Sequence, residues 1–334
     1  MKKVLLFCGG LLVAATLLFV SCKKDKEVTP TVNKYFSVEN GTLISKNMPD
    51  PTSNEEIAVV MNENVICGGS SYVRVSSERV AKKILVGMKD QAGYYEVSPT
   101  TRGDYSFVLM VNQDIDLADG VDAFTVQVAI EDENGDISQV WETSVTLLVV
   151  GTGALQVSLS FDNLKDVDLH LIEPEYNDEY GEPVAFYDRH IYYGHTLNIN
   201  GGELDLDSNA GCSLDGVNNE NITYGEDAFL VPGTYKVYVD LWENCDSEEE
   251  GAPKLPTNYV VTVFYGGNLL ASRAGVFEAE APSTFNPISA DYVEQNDPFL
   301  SFTIANNGQK RVKTFEPVPM SASAIEKEAN SVHK

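Results

Sequence analysis

The chain has 334 residues, with 50 Asp and Glu against 23 Lys and Arg, a formal net charge of −27. Such a balance repels nucleic acid and anionic lipid, which speaks against DNA or RNA binding, and it tolerates cations well. The length points to two domains rather than one.

Residues 1–21, MKKVLLFCGGLLVAATLLFVS, join a basic start at Lys2 and Lys3 to a short apolar run and small residues. This is the pattern of a secretory signal peptide and not of a spanning helix. Its removal takes away two basic residues and no acid, so the remaining chain is more negative still. Phe19-Val20-Ser21-Cys22 resembles a bacterial lipobox, in which the cysteine becomes an acylated N-terminus, with Phe19 in place of the usual leucine. The run SCKKDK resembles lipoproteins of the Bacteroides group. These resemblances imply lipidation of Cys22, a lipid bilayer as partner, and a cell-envelope address. The anchor would sit in the outer membrane, facing periplasm or exterior. Each buried acyl CH₂ contributes about 0.8 kcal/mol, so several chains hold a protein on a membrane. Residues 22–37 are polar and read as a tether.

From 38 to 150 the sequence shows almost no helical periodicity. Short runs rich in Val, Thr, Tyr and Phe recur instead: IAVVM, YVRVSS, KILVGM, YSFVLMV, AFTVQVAI and WETSVTLLVV. Asn, Asp, Gly and Ser separate them, the signature of a β-sandwich that is Ig-like in broad class. In DENGD, Asn134-Gly135 predicts a tight hairpin turn with positive φ angles, so its acids read as turn chemistry. Gly151-Thr152-Gly153 breaks the pattern and opens a second all-β unit over 151–316. Its predicted strands are ALQVSLSF, DVDLHLI, TLNI, GELDLD, TYKVYVDLW, NYVVTVFY and FLSFTI. Gly266-Gly267 and Asn307-Gly308 mark further hairpins. Residues 317–334 are small and polar, and read as a flexible tail.

Besides Cys22, the cysteines beyond the signal are Cys67, Cys212 and Cys245, and none shares a CxxC spacing. That speaks against a zinc knuckle or a thioredoxin-like site. In an oxidising compartment Cys212 and Cys245, both in polar loop sequence of one half, either form a disulfide or stay free. Cys67 reads as a small buried hydrophobe.

LDLDSNAGCSLDGVNNENI, residues 204–222, crowds carboxylates and asparagines between apolar stretches. In DVDLHLI, Val167, Leu169 and Leu171 share one strand face, and Asp166, Asp168 and His170 share the other. GELDLD repeats the device, with Glu203, Asp205 and Asp207 on its polar face. Two such strands side by side would bring rows of carboxylates together, and a cation is one way to neutralise them. Hard oxygen ligands at flexible spacing suit Ca²⁺. Asp205-x-Asp207-x-Asn209 starts like an EF-hand loop. Ala210 and Gly216 then stand where that loop needs glycine and a bidentate Glu, so it is not one. A calcium site and a solvated acidic face capped by Asx-turns both remain open.

FDNLKDVDLHLIEP, IYYG, GGELDLDSNAGC, ENI and PGTYKVYVDLW occur in this order. The series resembles the YfaP-type domain of exported bacterial proteins, over about residues 155–265. The resemblance implies a β-sandwich module without an assigned ligand and matches Asp166, Asp168, His170, Tyr192, Tyr193, Asp205, Asp207, Glu220, Asn221 and Tyr235. The chain departs from it by the insertion EYNDEYGEPVAF and by a longer GCSLDGVNN. Glu220 sits where the loop rejoins the sandwich and could close a calcium site opened by Asp207.

The expected function is a non-enzymatic binding or adhesion module, stabilised by calcium, with an unknown protein or glycan as partner. A metal-dependent hydrolase is the alternative, because His170, His190 and His195 could supply a three-histidine site with an open position. HExxH, GxSxG and Cys/His arrangements are absent. Glycan binding is a further alternative, with Tyr192, Tyr193, Tyr238 and Trp242 as a stacking platform.

Overall fold

Alternating apolar residues make each long strand two-faced, and their inner faces collect into two separate cores. The computed structural model describes residues 27–99, 105–115, 122–245, 255–279, 281–284 and 288–306. The segment 1–21 read as a signal peptide, Cys22, the hairpin expected at Asn307-Gly308 and the tail expected over 317–334 lie outside the described residues.

The first unit comprises β1 (Phe36–Val38), β2 (Thr42–Ile44), β3 (Ala58–Val60), β4 (Asn64–Ile66), β5 (Ser70–Ser76), β6 (Ala81–Met88), β7 (Tyr94–Val97), β8 (Tyr105–Val111), β9 (Ala123–Asp132) and β10 (Trp141–Leu148). They form two sheets, β1-β8-β5-β3 and β2-β7-β6-β9-β10-β4. Phe36, Val73, Val86, Leu109, Val126 and Val145 meet between them in one core. This is an Ig-like β-sandwich. Its start differs from the expected tether boundary at 37. Val32 is fully buried in the same core, and Val28 N donates to Ser45 O. The backbone N–H groups of Thr31 and Val32 also donate to Ala92 O, so the chain is held to the first unit from Val28 onward.

At the DENGD turn, Asp132 Oδ1 accepts from the backbone N–H of Asn134 and Asp136 at 2.8 and 2.9 Å. The acids are turn chemistry, but only Gly135 of the Asn-Gly pair takes a positive φ, at 85°. The Asp132 Asx bonds hold a longer turn than the two-residue hairpin expected.

The second unit comprises β11 (Leu155–Phe161), β12 (Asp166–Ile172), β13 (His190–Ile191), β14 (Gly202–Leu206), β15 (Asn219–Tyr224), β16 (Gly233–Glu243), β17 (Thr257–Tyr265), β18 (Asn268–Phe277) and β19 (Leu300–Ile304), with a short helix α1 (Ala290–Gln295). Their sheets are β14-β15-β11-β17-β18 and β13-β12-β16-β19. Val157, Leu169, Ile222, Tyr235, Val261 and Phe302 fill the space between. The segment TLNI is not a strand. It contributes one bridge, Leu197 to Glu203, and leaves Leu197 57% exposed. Whereas TLNI alternates without a partner strand to complete it, NENITY pairs on both sides as β15 and is buried throughout.

The two sandwiches share a polar and apolar seam. β11 is buried along its whole length, because its apolar face joins the second core and Gln156 meets the first unit. Gln156 Nε2 donates to Cys67 O at 2.7 Å, and Gln113 Nε2 donates to Gln156 Oε1 at 2.7 Å. Gly68, with φ 74°, lies so close to Gln156 Oε1 that a Cβ there would collide with it. Val260 packs with Val108 and Met110. Cys67 is half-buried and unbridged, and burial pushes its thiol up.

Candidate functional site

The short strand β13 pairs β12 only at Leu171 and Ile172. Residues 166–170 of β12 therefore have a free edge, and the start of β15 comes to it. Glu220 shares the inward parity of Ile222 and Tyr224, and its Oε2 accepts from the backbone N–H of Leu169 at 2.6 Å. The loop after β14 brings Asp207 to the same place. Single carboxylate oxygens of Asp168, Asp207 and Glu220 all lie within 4.8 Å of one another. Asp168 and Glu220 are 4% and 1% exposed, while Asp207 stands exposed at the mouth.

Asp166 lies beside this group, near enough for its charge to act on Asp168 and Glu220. Its Oδ2 accepts from Gly211 N at 2.6 Å, and the backbone N–H of Cys212 also serves it. The structure joins Cys212 to Cys245, with Cα atoms 5.3 Å apart, so the loop that feeds Asp166 is tied to the end of β16. Asp166 Oδ1, Asp168 Oδ2 and Glu220 Oε1 are buried and have no hydrogen-bond partner. Buried polar atoms are nearly always satisfied, so orphaned oxygens on three carboxylates whose charges act on one another call for an explanation.

The electrostatics agree with the geometry. Burial, with the charge of Asp207 adding and the Gly211 N–H opposing, pushes the Asp166 carboxyl up to about 7. Burial raises Asp168 well above the usual range, and the charges of Asp240, Asp166 and Asp207 raise it further. Glu220 is raised well above its range by burial and by Asp168 and Asp207. Asp207, exposed on its outer side, is raised by the partial desolvation of its inner side, with the charge of Asp215 adding. The carboxylate neighbours that act on Asp166, Asp168 and Glu220 all carry one sign, so each raises the others.

Other expected residues lie elsewhere. β14 sits in the opposite sheet from β12, so the two acidic strands do not run side by side. A bulge between Leu204 and Leu206 turns Asp205 away, where it accepts from Gly151 N and from Asn221 Nδ2. Asn209, at φ 59°, is a loop fastener. Its Nδ2 donates to Lys165 O and Asn218 Oδ1, and its Oδ1 accepts from Asp215 N. Neither Asp205 nor Asn209 joins the carboxylate group.

The three histidines do not form a three-histidine site. His170 Nδ1 lies 2.9 Å from His190 Nε2, but His195 Nδ1 is engaged by the backbone carbonyl of His190. Burial, with His170 and His195 nearby, lowers His190 to about 2, so its imidazole is neutral. The aromatic platform is also divided. Tyr192 is buried, stacked on His170 and His190 with centroids 5.5 and 4.3 Å away. Tyr238 is buried beneath α1, its hydroxyl donating to Asn296 O. Tyr193 and Trp242 remain half-buried as an edge-on pair, 5.0 Å between centroids. Burial and the charges of Asp168 and Asp240 raise the Tyr193 hydroxyl, which places it beside the carboxylates.

Asp240 is the site residue that sequence reasoning missed. Its alternation with Leu241 and Val239 put it on the outer face, and only the register to Asp168 reveals its neighbour.

No protein-family model matches the chain, and no curated protein matches it. Among solved structures, similar chains include BcpA, the major pilin subunit of Bacillus cereus, at 10% identity and a TM-score of 0.20. That match covers 67% of this chain and 66% of the pilin, just under two thirds of its length. A variant of the same pilin matches at 10% identity and a TM-score of 0.19, covering 68% and 66%. Similarity at this level carries no argument about function. The all-β, two-sandwich architecture stands on the strand register itself.

Proposed function

We propose that the chain is a cell-envelope lipoprotein whose two sandwiches form a non-enzymatic binding or adhesion module stiffened by a bound Ca²⁺. The ligands would be Asp166, Asp168, Asp207 and Glu220. The observation that carries this reading is the trio of orphaned oxygens on Asp166, Asp168 and Glu220. The donors are all oxygen, they come from three separate segments, and one of them is exposed. That set suits Ca²⁺, which takes six to eight oxygens in flexible geometry and accepts water for the remainder. By joining β12, the loop after β14 and β15, the ion would bind the two sheets to each other at their open edge. The half-buried pair of Tyr193 and Trp242 would then offer a face for a protein or glycan partner. Acylation of Cys22 would hold the module on the outer membrane, toward periplasm or exterior.

The test is calcium titration of the full chain by calorimetry after chelator treatment. One equivalent should bind to the parent, and Glu220→Gln should abolish it while the fold persists by circular dichroism. Absence of calcium binding in the parent removes the reading.

A further inference from the structure

The outer face of β12 carries a second convergence, which has only Asp168 in common with the calcium position. His170 Nε2 lies 2.9 Å from Asp240 Oδ1. Asp240 is the register partner of Asp168 across the β12–β16 pair. Single ligand atoms of Asp168, His170 and Asp240 all lie within 4.8 Å of one another. These are rigid positions, on two adjacent strands rather than on loops, and all three residues are buried. Asp168, 4% exposed, keeps its Oδ2 without a partner.

The surroundings of these donors are those of a built site. His170 Nδ1 faces His190 Nε2 at 2.9 Å, and Tyr192 stacks on both rings. A metal-bound histidine generally has its other ring nitrogen held in this way, which fixes ring orientation. Thr284 Oγ1 donates to Asp240 Oδ2 at 2.6 Å, leaving Oδ1 as the oxygen turned to His170. A carboxylate has two oxygens, so Asp168 can serve this set and the carboxylate set together.

Charge supplies an independent reason. Asp166, Asp168, Asp207, Glu220 and Asp240 put five carboxylates around one locus. One divalent cation offsets two of those charges and leaves a costly buried excess. A second brings the locus close to balance. Its donor set contains an imidazole nitrogen, which Ca²⁺ does not favour and Zn²⁺-class ions do.

We propose that Asp168, His170 and Asp240 form a second cation position for a borderline transition metal of the Zn²⁺ class, adjacent to the calcium position and sharing Asp168 with it. The proposal rests on the calcium reading only through that shared residue. His170 and Asp240 are its own donors, and His190 is a positioning residue.

The experiment uses the full chain, stripped by chelator and loaded with Ca²⁺ alone, Zn²⁺ alone or both, with bound metal counted by elemental analysis after desalting. Loading with both should leave one Ca²⁺ and one Zn²⁺ per chain. His170→Gln and Asp240→Asn should lose the zinc and keep the calcium, while Glu220→Gln should do the reverse. His190→Gln should weaken zinc roughly 10–100-fold without removing it. Since His170 is buried and its replacement endangers the fold, the parent chain provides a second measurement. Co²⁺ should give visible absorption of a nitrogen-ligated centre that Zn²⁺ erases and Ca²⁺ leaves. One metal per chain under every loading, with Ca²⁺ displacing Zn²⁺, would overturn the second position. Zinc binding indifferent to both His170→Gln and Asp240→Asn would overturn it as well. Zinc bound with these dependences, but no calcium in the parent, would leave this position standing and remove the calcium reading alone.

Discussion

Asp168 on β12 and Asp240 on β16 are register partners, two buried carboxylates set directly across a strand pair. Like charges in that relation destabilise a sheet, and burial adds a desolvation cost. Asp240 has relief from His170 and Thr284, whereas Asp168 Oδ2 has none. This uncompensated carboxylate is what the proposed cation would relieve.

The first prediction follows from that cost. A Ca²⁺ ion bound only to the folded state at a hundredfold excess over its dissociation constant adds about 2.7 kcal/mol, roughly 5–10 °C of melting temperature. EDTA should lower the melting temperature by that amount, and calcium should restore it better than magnesium, which demands tighter octahedral geometry. Asp207→Asn should shrink the response. Asp136→Asn, in the first-unit turn, should leave it intact. An identical melting curve in EDTA and calcium would falsify the site.

The second concerns pH. Asp166 is raised to about 7 by burial, and Asp168 and Glu220 are raised well above their ordinary values by burial and by their acidic neighbours. In the unfolded chain these groups titrate near 4. The cation-free folded state therefore binds more protons than the unfolded state above about pH 4, and its stability falls as pH rises toward 7. In EDTA the melting temperature should drop between about pH 5 and pH 8, and calcium should cancel the drop. Calcium affinity itself should weaken on acidification, because protons and cation compete for the same oxygens. A melting temperature in EDTA that climbs steadily across this range contradicts the reading.

How much of this was legible in the sequence depends on which interactions decide each feature. Strand alternation is local, so Val167, Leu169 and Leu171 fell on the core face as read, and both sandwiches were visible. Pairing is not local. Nothing in GELDLD says that β14 lies in the sheet opposite β12, nor that a bulge turns Asp205 away. The polar start Asn219-Glu220-Asn221 hides the buried strand β15 from a pattern reading, because those side chains serve the site and the seam. Tyr238 reads as an outward aromatic because strand parity cannot foresee that α1 covers it, and Tyr192 reads as part of a stacking platform because nothing local shows its ring stacked on His170 and His190.

The third prediction concerns the anchor proposed from the lipobox-like Phe19-Val20-Ser21-Cys22. Cells expressing the parent chain with a labelled fatty acid should incorporate label and carry the protein in the membrane fraction. Cys22→Ser should remain a longer precursor without label. Equal labelling of the two chains removes the acylation site from Cys22.

The last prediction joins the seam to the site. Asn62 Nδ2 donates to Val217 O at 3.1 Å, Asn64 Nδ2 donates to Gly216 O at 2.8 Å, and Asn219 Nδ2 returns a bond to Asn64 O at 2.9 Å. The first sandwich thus grips the turn that leads directly into Glu220. A chain starting at Gly151 keeps the whole second core, so it should fold, with sheet and little helix in far-UV circular dichroism. It loses this grip and exposes Val260 and Gln156, so it should bind calcium more weakly than the full chain. Each such bond contributes about 0.5–1.5 kcal/mol, so Asn62→Ala with Asn64→Ala in the full chain should weaken calcium roughly tenfold. Calorimetry on the three proteins separates the outcomes. If the fragment matches the full chain, the loop holds its own shape. If the fragment does not fold at all, the seam is part of the second sandwich's stability, and the unit boundary at 151 does not mark an independent domain.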